Sequence, residues 1–336
     1  MKITGLVLCG VLFFLFVQLL LLPNTKFKSD KYHFYVSGDQ DIYTIIDSLS
    51  GKNIITQSWS LQMLAYLIQA QNPEKKLLEI KKDWNNFQIL YHLKNQEIRP
   101  FVQVSIPVRQ LRYNVVKSFC KELSISEMDF FGLVEQDSIL LAYPDFDKES
   151  VYSLFIANNF WVYKDVNPGE LLERLYEEYL AYWNDEKLAR CEEIGLSPVE
   201  VGILASIVYA ETKVEDEMPH VAGLYLNRLN NDMRLQADPT VVYAAGQKRL
   251  KRVLKKHKSI KSAYNTYRKK GLPPGPVFTV PPIAIDAVLN YSEHDYLFFC
   301  AKDDLSGGHV FAETYEEHLE NARKYQNKLN KLGIYR

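Results

Sequence analysis

One acidic side chain, Glu211, lies on the apolar stripe of a predicted helix and is the first candidate for chemistry in this sequence. The helix start is marked by Ser197 as N-cap, Pro198 at the first position and Glu200 completing a capping box. Apolar residues then recur at helical spacing, at Val201, Leu204, Ile207 and Val208. Glu211 falls on the same face, where a carboxyl group must be paired, hydrogen-bonded or neutral, because burying a lone charge is costly.

Two interpretations of this carboxyl group stay open at this point. A neutral carboxylic acid in a sheltered site is what a general acid needs near neutral pH. The structural alternative is a glutamate at a helix end, salt-bridged at the edge of the core.

The residues after Glu211 are polar and rich in hydrogen-bonding groups, which favours a functional site. A second helix is predicted over about residues 219–229, with an inner face formed by Val221, Leu224, Tyr225 and Leu229. Further along, Asp238 stands before Pro239, a pair that predicts a helix N-cap followed by proline at the first helical position.

A series of short motifs, in a fixed order, carries a resemblance to a known family. The motifs are LASIV at 204–208, Glu211-Thr212, NRL at 227–229, LQADPTV at 235–241, YNTY at 264–267, GLPPGP at 271–276 and GHVF at 308–311. In these motifs the sequence resembles the YceG-like (MltG) endolytic murein transglycosylases, closely over roughly its last half and in layout over the rest. Several ordered motifs are far more specific than any one alone.

The resemblance implies an enzyme that cleaves the MurNAc-GlcNAc β-1,4 bond of nascent peptidoglycan strands. Such enzymes leave 1,6-anhydro-MurNAc ends and act as glycan-chain terminators in cell wall biogenesis. The catalytic glutamate of the family falls at Glu211, where a raised pKa would suit a single acid–base group. Candidate groups for holding the glycan are Asn227, Gln236, Asp238, Asn265, Tyr267 and His309. No cofactor and no metal are expected.

The sequence departs from the family pattern at two places. Family members often carry another glutamate two positions before the catalytic one, where this chain has Tyr209. Many also carry a Pro-Asp/Asn-Thr-Tyr motif near residues 156–160, which here lack the tyrosine hydroxyl. A second carboxylate, if one is needed, would come from Glu215, Asp216 or Glu217, although this acidic run is expected to be solvated.

Two alternative functions differ in what they require. A hydrolytic muramidase or glucosaminidase on the same fold needs a second carboxylate and releases ordinary reducing ends. A non-catalytic protein that binds the wall or serves as a division scaffold would keep its function after Glu211→Gln. A transglycosylase needs one carboxyl group, because the 6-hydroxyl of the muramic sugar is the nucleophile.

The predicted fold class is α+β in three parts. Residues 1–25 form a transmembrane anchor, residues 32–97 a small LysM-like subdomain, and residues 98–336 a larger mixed α/β catalytic domain with core motifs at 197–312. In the small subdomain we predict a strand at 33–36, a helix at 58–70 and a strand near 89–93. A structural lead-in domain without ligand is an equal alternative for this part.

The N-terminal segment from Ile3 to Leu22 is almost wholly apolar and uncharged, which predicts a membrane span. No small-x-small cleavage site follows it, which favours an uncleaved anchor. Lysines are denser after the span than before it, so the positive-inside rule alone would place the body in the cytoplasm. The resemblance implies the opposite: a single-pass protein of the cytoplasmic membrane with its catalytic domain on the outer face.

Composition excludes several other functions. The net charge of the 336 residues is -1, so no overall field attracts nucleic acid. No Walker loop, GxSxG elbow or HExxH motif is present. The four cysteines have no metal-like spacing, and the three outside the apolar segment require no disulfide: Cys120, Cys191 and Cys300. The resemblance implies glycan strands, the membrane and peptidoglycan synthases as partners.

The region after the central motifs has a basic stretch and a hairpin. Residues 248–261 are rich in Lys and Arg, with apolar residues at helical spacing, and predict an amphipathic basic helix. Residues 271–276 predict a stiff loop, and residues 282–290 a helix. Strands are predicted at 296–301 and 309–312, and Thr314 with Glu317 predicts a capping box that opens a terminal helix.

Overall fold

The computed structural model describes residues 13–14, 16–108, 112–246 and 253–332 of an α+β protein. Its strands are β1 (Lys31–Val36), β2 (Lys76–Lys81), β3 (Phe101–Ser105), β4 (Asn159–Tyr163), β5 (Phe298–Ala301) and β6 (His309–Ala312). The helices are α1 (Ile42–Gly51), α2 (Ser58–Leu67), α3 (Asn86–Asn95), α4 (Arg112–Leu123), α5 (Glu127–Val134), α6 (Asp137–Leu140), α7 (Pro168–Tyr182), α8 (Asp185–Ile194), α9 (Pro198–Glu211), α10 (Met218–Asn230), α11 (Asp238–Ala244), α12 (Lys255–Lys258), α13 (Pro282–Leu289) and α14 (Tyr315–Lys331).

The chain forms two compact units, the first of which comprises residues 1–104 and 159–182. In this unit β1 and β2 pair antiparallel, with Phe34 opposite Leu78. Helices α1, α2 and α3 pack an apolar core against this sheet, and β3 pairs with β4 in a second small sheet. On α7, Glu177 is almost fully buried, and it accepts hydrogen bonds from His33 at 2.7 Å and from Arg174 at 3.2 Å.

The prediction of a strand near residues 89–93 is wrong, since these residues lie in helix α3. Asn85 and Gln88 form a reciprocal capping box at its start, and the buried Ile89, Leu90 and Leu93 have helical spacing. The second strand of the unit is instead β2, and α1 was not predicted. The predicted strand at 33–36 lies within β1, and the predicted helix at 58–70 corresponds to α2. The LysM-like assignment and the predicted domain boundaries stay predictions.

The predicted anchor from Ile3 to Leu22 lies largely outside the described residues, which omit 1–12 and 15. Among the residues that are described, no single helix is both long and apolar enough to cross a bilayer. One pair of helices, α8 and α9, meets the length and composition criteria together, but the two are bent by 79° relative to each other.

The second unit comprises residues 105–158 and 183–336 and is built around α9. The predicted start of this helix is confirmed: Ser197 and Glu200 form the capping box, and Pro198 occupies the first turn. Residues 201–208 of α9 are all buried, because α8, α10, α11 and α13 surround it. The buried hydroxyl of Ser206 accepts a hydrogen bond from the backbone N–H of Val277, which fixes the end of the predicted stiff loop against α9.

The remaining predictions for this unit fare differently. The helices at 219–229 and 282–290 correspond to α10 and α13, the two strands to the antiparallel β5–β6 hairpin, and the Thr314 capping box to the start of α14. The basic helix lies partly outside the described residues, which omit 247–252; its described part contains the single turn α12. Cys120, Cys191 and Cys300 are free thiols.

Candidate active site

Glu211 is the last residue of α9, and its carboxyl group faces α10. Its Oε1 accepts a hydrogen bond from the hydroxyl of Tyr225 at 2.9 Å. Burial and, to a smaller extent, the negative charge of Asp238 raise the pKa of Glu211 to about 7, against the opposing effects of the Tyr225 hydrogen bond and of the Asp238 backbone N–H. Glu211 keeps partial solvent exposure, so a substrate can reach this carboxyl group, whose pKa is near 7.

Asp238 was predicted to be a helix N-cap, and the structure corrects this. Ala237 is the N-cap of α11 and provides no side-chain cap, and Asp238 is the first helical residue. The Asp238 carboxylate instead accepts a hydrogen bond at 2.6 Å from the hydroxyl of Tyr267, 29 positions away. Asp238 is exposed, and its charge acts on the less exposed Glu211, so the site holds two carboxyl groups in different environments.

Tyr267 is held in place by Asn265, which is fully buried. The side-chain amide of Asn265 donates to the carbonyl oxygens of Lys258 at 3.0 Å and Ile260 at 2.8 Å. Its oxygen accepts from the backbone N–H of Tyr267 at 3.0 Å. Burial raises the pKa of Tyr267 far above its usual value, and the hydrogen bond to Asp238 adds to this, so the phenol stays a donor.

Gln236 is exposed and adopts a left-handed backbone conformation with φ of 55°. Its Oε1 accepts a hydrogen bond at 3.1 Å from the guanidinium of the buried Arg228. That guanidinium also donates to the carbonyl oxygens of Arg234 and Leu297. The buried Arg228 therefore orients the side chain of Gln236, which stays exposed at the surface.

Asn227, on α10, directs its amide to the chain before β5. It donates to the carbonyl oxygen of His294 at 2.6 Å and to that of Tyr296 at 3.2 Å. These bonds fasten the segment that leads into β5 to the same helix that carries Tyr225. A glycan contact by Asn227 or Asn265 stays a prediction, and the hydrogen bonds just described give both side chains a positioning role.

His309 forms a pair with Glu217, which was expected to be solvated. Glu217 accepts from the backbone N–H of His309 at 2.7 Å and lies 2.9 Å from its Nδ1, and its side chain is only 13% exposed. Burial tends to raise the pKa of Glu217, but the hydrogen bonds from His309 outweigh this and lower it. A Cβ atom on Gly308 would lie 2.7 Å from Oε1 of Glu217, so a larger residue at this position would displace the Glu217 carboxylate.

The structure brings two groups of predicted residues together. Glu211, Asp238 and Tyr267 are electrostatically coupled around Tyr225. The Glu217–His309 pair connects to them through Thr212, the residue after Glu211, whose hydroxyl lies 3.3 Å from Glu217. The sequence predicted Tyr225 only as part of an inner helix face. The signal for its role was a tyrosine hydroxyl on that face, close in sequence to a helix with an inward carboxyl group, because a buried tyrosine hydroxyl usually finds a hydrogen-bond partner.

Comparison with known proteins finds a matching family and similar sequences. The YceG-like family model matches residues 34–324. A protein of Bacillus subtilis (strain 168) named endolytic murein transglycosylase is 40% identical over 127 residues, or 38% of this chain and 34% of that protein. One of the same name from Streptococcus pneumoniae (strain D39) is 33% identical over 175 residues, or 49% of this chain and 31% of that protein. The matches thus span about a third of these relatives' lengths.

A solved structure shows the same fold. The crystal structure of a putative yceG-like protein from Listeria monocytogenes superposes with a TM-score of 0.55 at 22% identity, covering 87% of this chain and 98% of that one. Because the family model covers most of its length, this chain belongs to the YceG-like family.

Proposed function

We propose that this protein is an endolytic murein transglycosylase that cleaves the MurNAc-GlcNAc β-1,4 bond of peptidoglycan strands, with Glu211 as its single acid–base group. The observation that carries the proposal is the Glu211 carboxyl group, whose pKa is raised to about 7 by burial while Tyr225 orients it. A group with this pKa is protonated often enough to act as an acid and basic enough to take a proton back. The names of the relatives support the same activity.

The reaction needs no water. Glu211 gives its proton to the glycosidic oxygen as the bond from that oxygen to C1 of the muramic sugar breaks. The 6-hydroxyl oxygen of the same sugar then bonds to C1, and its proton passes to the Glu211 carboxylate. The products are a free 4-hydroxyl on the leaving sugar and a 1,6-anhydro-MurNAc end, with the enzyme back in its starting state.

Asp238 is suited to stabilise the positive charge that develops on the sugar. It remains the more exposed of the two carboxyl groups, and Tyr267 holds it in one orientation. Gln236 and His309 keep partial or full exposure and are proposed to bind sugar hydroxyls. Asn227 and Asn265 are proposed to position these groups, since their amides donate to backbone carbonyls.

A hydrolytic muramidase is the second candidate, and Asp238 is the observation that favours it. A hydrolase uses a pair of carboxyl groups, one as acid and the other as base or nucleophile. Asp238 is close enough to Glu211 for its charge to raise the pKa of that group. In this case water would add to the muramic sugar, and the products would be ordinary reducing ends.

The resemblance also supports a location and a context for the activity. We propose that the apolar N-terminus anchors the chain in the cytoplasmic membrane, with the catalytic unit on the outer face, and that the first unit is LysM-like. An anchored enzyme would cut only glycan near the membrane, where peptidoglycan synthases extend it. A non-catalytic scaffold role is the remaining alternative.

Mass analysis of the glycan products tests the proposal. The full-length chain in detergent is incubated with nascent peptidoglycan strands and compared with Glu211→Gln. The exposed Glu215, four residues further along, supplies the matched control Glu215→Gln. We expect anhydro-muramic ends from the wild type and the control, and none from Glu211→Gln. Reducing ends would transfer the protein to the hydrolases, and unchanged cleavage by Glu211→Gln would overturn the role of Glu211.

A further inference from the structure

The first unit exposes large apolar side chains on two neighbouring helices. On α2 they recur at helical spacing, so that they form one stripe, and on α3 an aromatic pair is stacked at 6.2 Å. The exposed fractions are 45% for Trp59, 41% for Met63, 62% for Leu67, 54% for Phe87 and 52% for Tyr91. We call these five side chains the apolar face. Exposed apolar side chains grouped on neighbouring helices are typical of an interaction surface.

The apolar face begins where the N-terminal apolar segment ends. Asn24, two residues after that segment, accepts a hydrogen bond from the backbone N–H of Gln57 at 2.7 Å and donates to Asn86 at 2.6 Å. Gln57 precedes α2, and Asn86 opens α3. Trp59 and Phe87 follow these two residues by two positions and one position. The starts of both helices therefore meet at the exit of the apolar segment.

The end of the apolar segment is already packed into the first unit. Leu19 is 7% exposed and packs in the core of the unit. Pro23 forms a β-bridge with Asn85, and Thr25 forms another with Ile55. The residues before Leu19 that are described include exposed aromatics, with Phe13 at 68%. A segment that enters a bilayer would therefore hold this end of the unit at the membrane surface.

Exposed lysines surround the same point. Lys26 directly follows the bridge at Thr25, and the carbonyl oxygen of Lys81 accepts a hydrogen bond from the Thr25 hydroxyl at 2.8 Å. Lys82 is exposed beside it. Aromatic side chains combined with lysines suit a bilayer interface, where the rings lie at headgroup depth and the ammonium groups meet anionic lipids.

We propose that the apolar face, with Lys26, Lys81 and Lys82, is a membrane-interface surface that docks the first unit onto an anionic bilayer. The partner is the lipid surface at the exit of the apolar segment. A glycan strand is less suited, because Met63 has only a weak acceptor and Leu67 has no hydrogen-bonding group for sugar hydroxyls. The inference rests on the proposed anchor and is independent of the chemistry at Glu211.

Tryptophan fluorescence in vesicles tests this surface. The full-length chain is reconstituted in vesicles of zwitterionic lipid with a minor anionic fraction, either ordinary or brominated on the acyl chains, since bromine quenches nearby indoles. The chain has four tryptophans, and Trp84 and Trp183 are 8% and 2% exposed, so Trp59→Phe isolates the signal from the apolar face. Trp161, stacked on Tyr35 at 4.2 Å, supplies the control Trp161→Phe.

We expect brominated vesicles to reduce the Trp59-dependent emission about two-fold, with the loss absent in Trp59→Phe and retained in Trp161→Phe. Aqueous iodide should quench Trp59 in detergent but much less in vesicles. The proposal would be overturned if brominated lipid left the emission of Trp59 unchanged. It would also be overturned if added glycan fragments, and not brominated lipid, changed that emission. Release of the chain from the vesicles at alkaline pH would show that it has no membrane anchor, and it would overturn the proposal, which rests on that anchor. Glycan cleavage is measured on the same samples, so that a failure of membrane docking can be distinguished from a failure of the proposed activity.

Discussion

The hydroxyl of Tyr225 donates a hydrogen bond to Oε1 of Glu211 across 2.9 Å, joining α10 to the last residue of α9. Tyr225 is almost fully buried, and the same burial that raises the pKa of Glu211 raises the pKa of Tyr225 well above its usual value. The phenol therefore keeps its proton and acts only as a donor. Its bond favours the ionised form of Glu211 and limits the rise in pKa that burial causes.

Tyr225→Phe is expected to move the alkaline limb of the activity profile to higher pH. Without the donor the pKa of Glu211 rises further, and the acid stays protonated longer; a bond of about 1 kcal/mol corresponds to a shift of up to about one pH unit. The measurement is kcat/KM for glycan cleavage against pH. Tyr209→Phe, on α9 two residues before Glu211, is the control and should leave the limb in place. A downward shift in Tyr225→Phe would contradict the prediction.

Glu211 is expected to reduce stability at alkaline pH. Its folded pKa of about 7 lies above the usual 4.5, so the carboxyl group is protonated in both states well below pH 4.5. Between pH 4.5 and 7 only the unfolded state loses this proton, so stability falls across this window and the full loss is present above pH 7. Glu211→Gln should therefore be more stable than the wild type by about 1–3 kcal/mol near pH 8, and equally stable near pH 4. Urea unfolding across this range measures the difference. If the difference in the free energy of unfolding between Glu211→Gln and the wild type did not change with pH, the raised pKa of Glu211 would be excluded as its cause.

Local signals predicted the helices that position the site. The capping boxes at Ser197 and Thr314 are confirmed, because both are set by residues three positions apart. The apolar spacing of α9 also predicted that the Glu211 carboxyl group would face inward. The strand predicted near residues 89–93 is wrong because a short apolar run fits a strand as well as a helix, and the capping pair of Asn85 and Gln88 starts a helix here.

The partners of the site residues could not be predicted, because they come from distant parts of the sequence. Glu217 was expected to be solvated, but His309, 92 positions away, covers it. Asp238 was expected to cap a helix, but Tyr267 provides a hydroxyl donor from another loop. A single sequence reports the spacing along an element and contains no direct record of such tertiary hydrogen bonds.

Asp238→Asn is expected to shift the alkaline limb in the direction opposite to Tyr225→Phe. The change removes a negative charge that raises the pKa of Glu211, while the amide oxygen can still accept from Tyr267. Under the transglycosylase proposal, activity falls about 10- to 100-fold and the products keep their anhydro ends. The pH profile and the product masses are measured together. Restoration of cleavage by added formate or azide would instead identify Asp238 as a base or nucleophile and favour hydrolysis.

Gly223→Ala is expected to destabilise the second unit, although alanine normally stabilises a helix by about 0.5–1 kcal/mol relative to glycine. A Cβ atom at Gly223 would lie 2.3 Å from the carbonyl oxygen of Ser292 and 2.9 Å from Nε2 of His294, so α10 and this segment must separate. We expect a loss of about 1–3 kcal/mol by urea unfolding. Activity should fall as well, because Asn227 on α10 bonds the same segment.

Gly132→Ala, in α5 with no neighbour within 4 Å, is the matched control and should be neutral or stabilising. Equal effects at the two glycines would show that the close packing of α10 against this segment contributes nothing to stability.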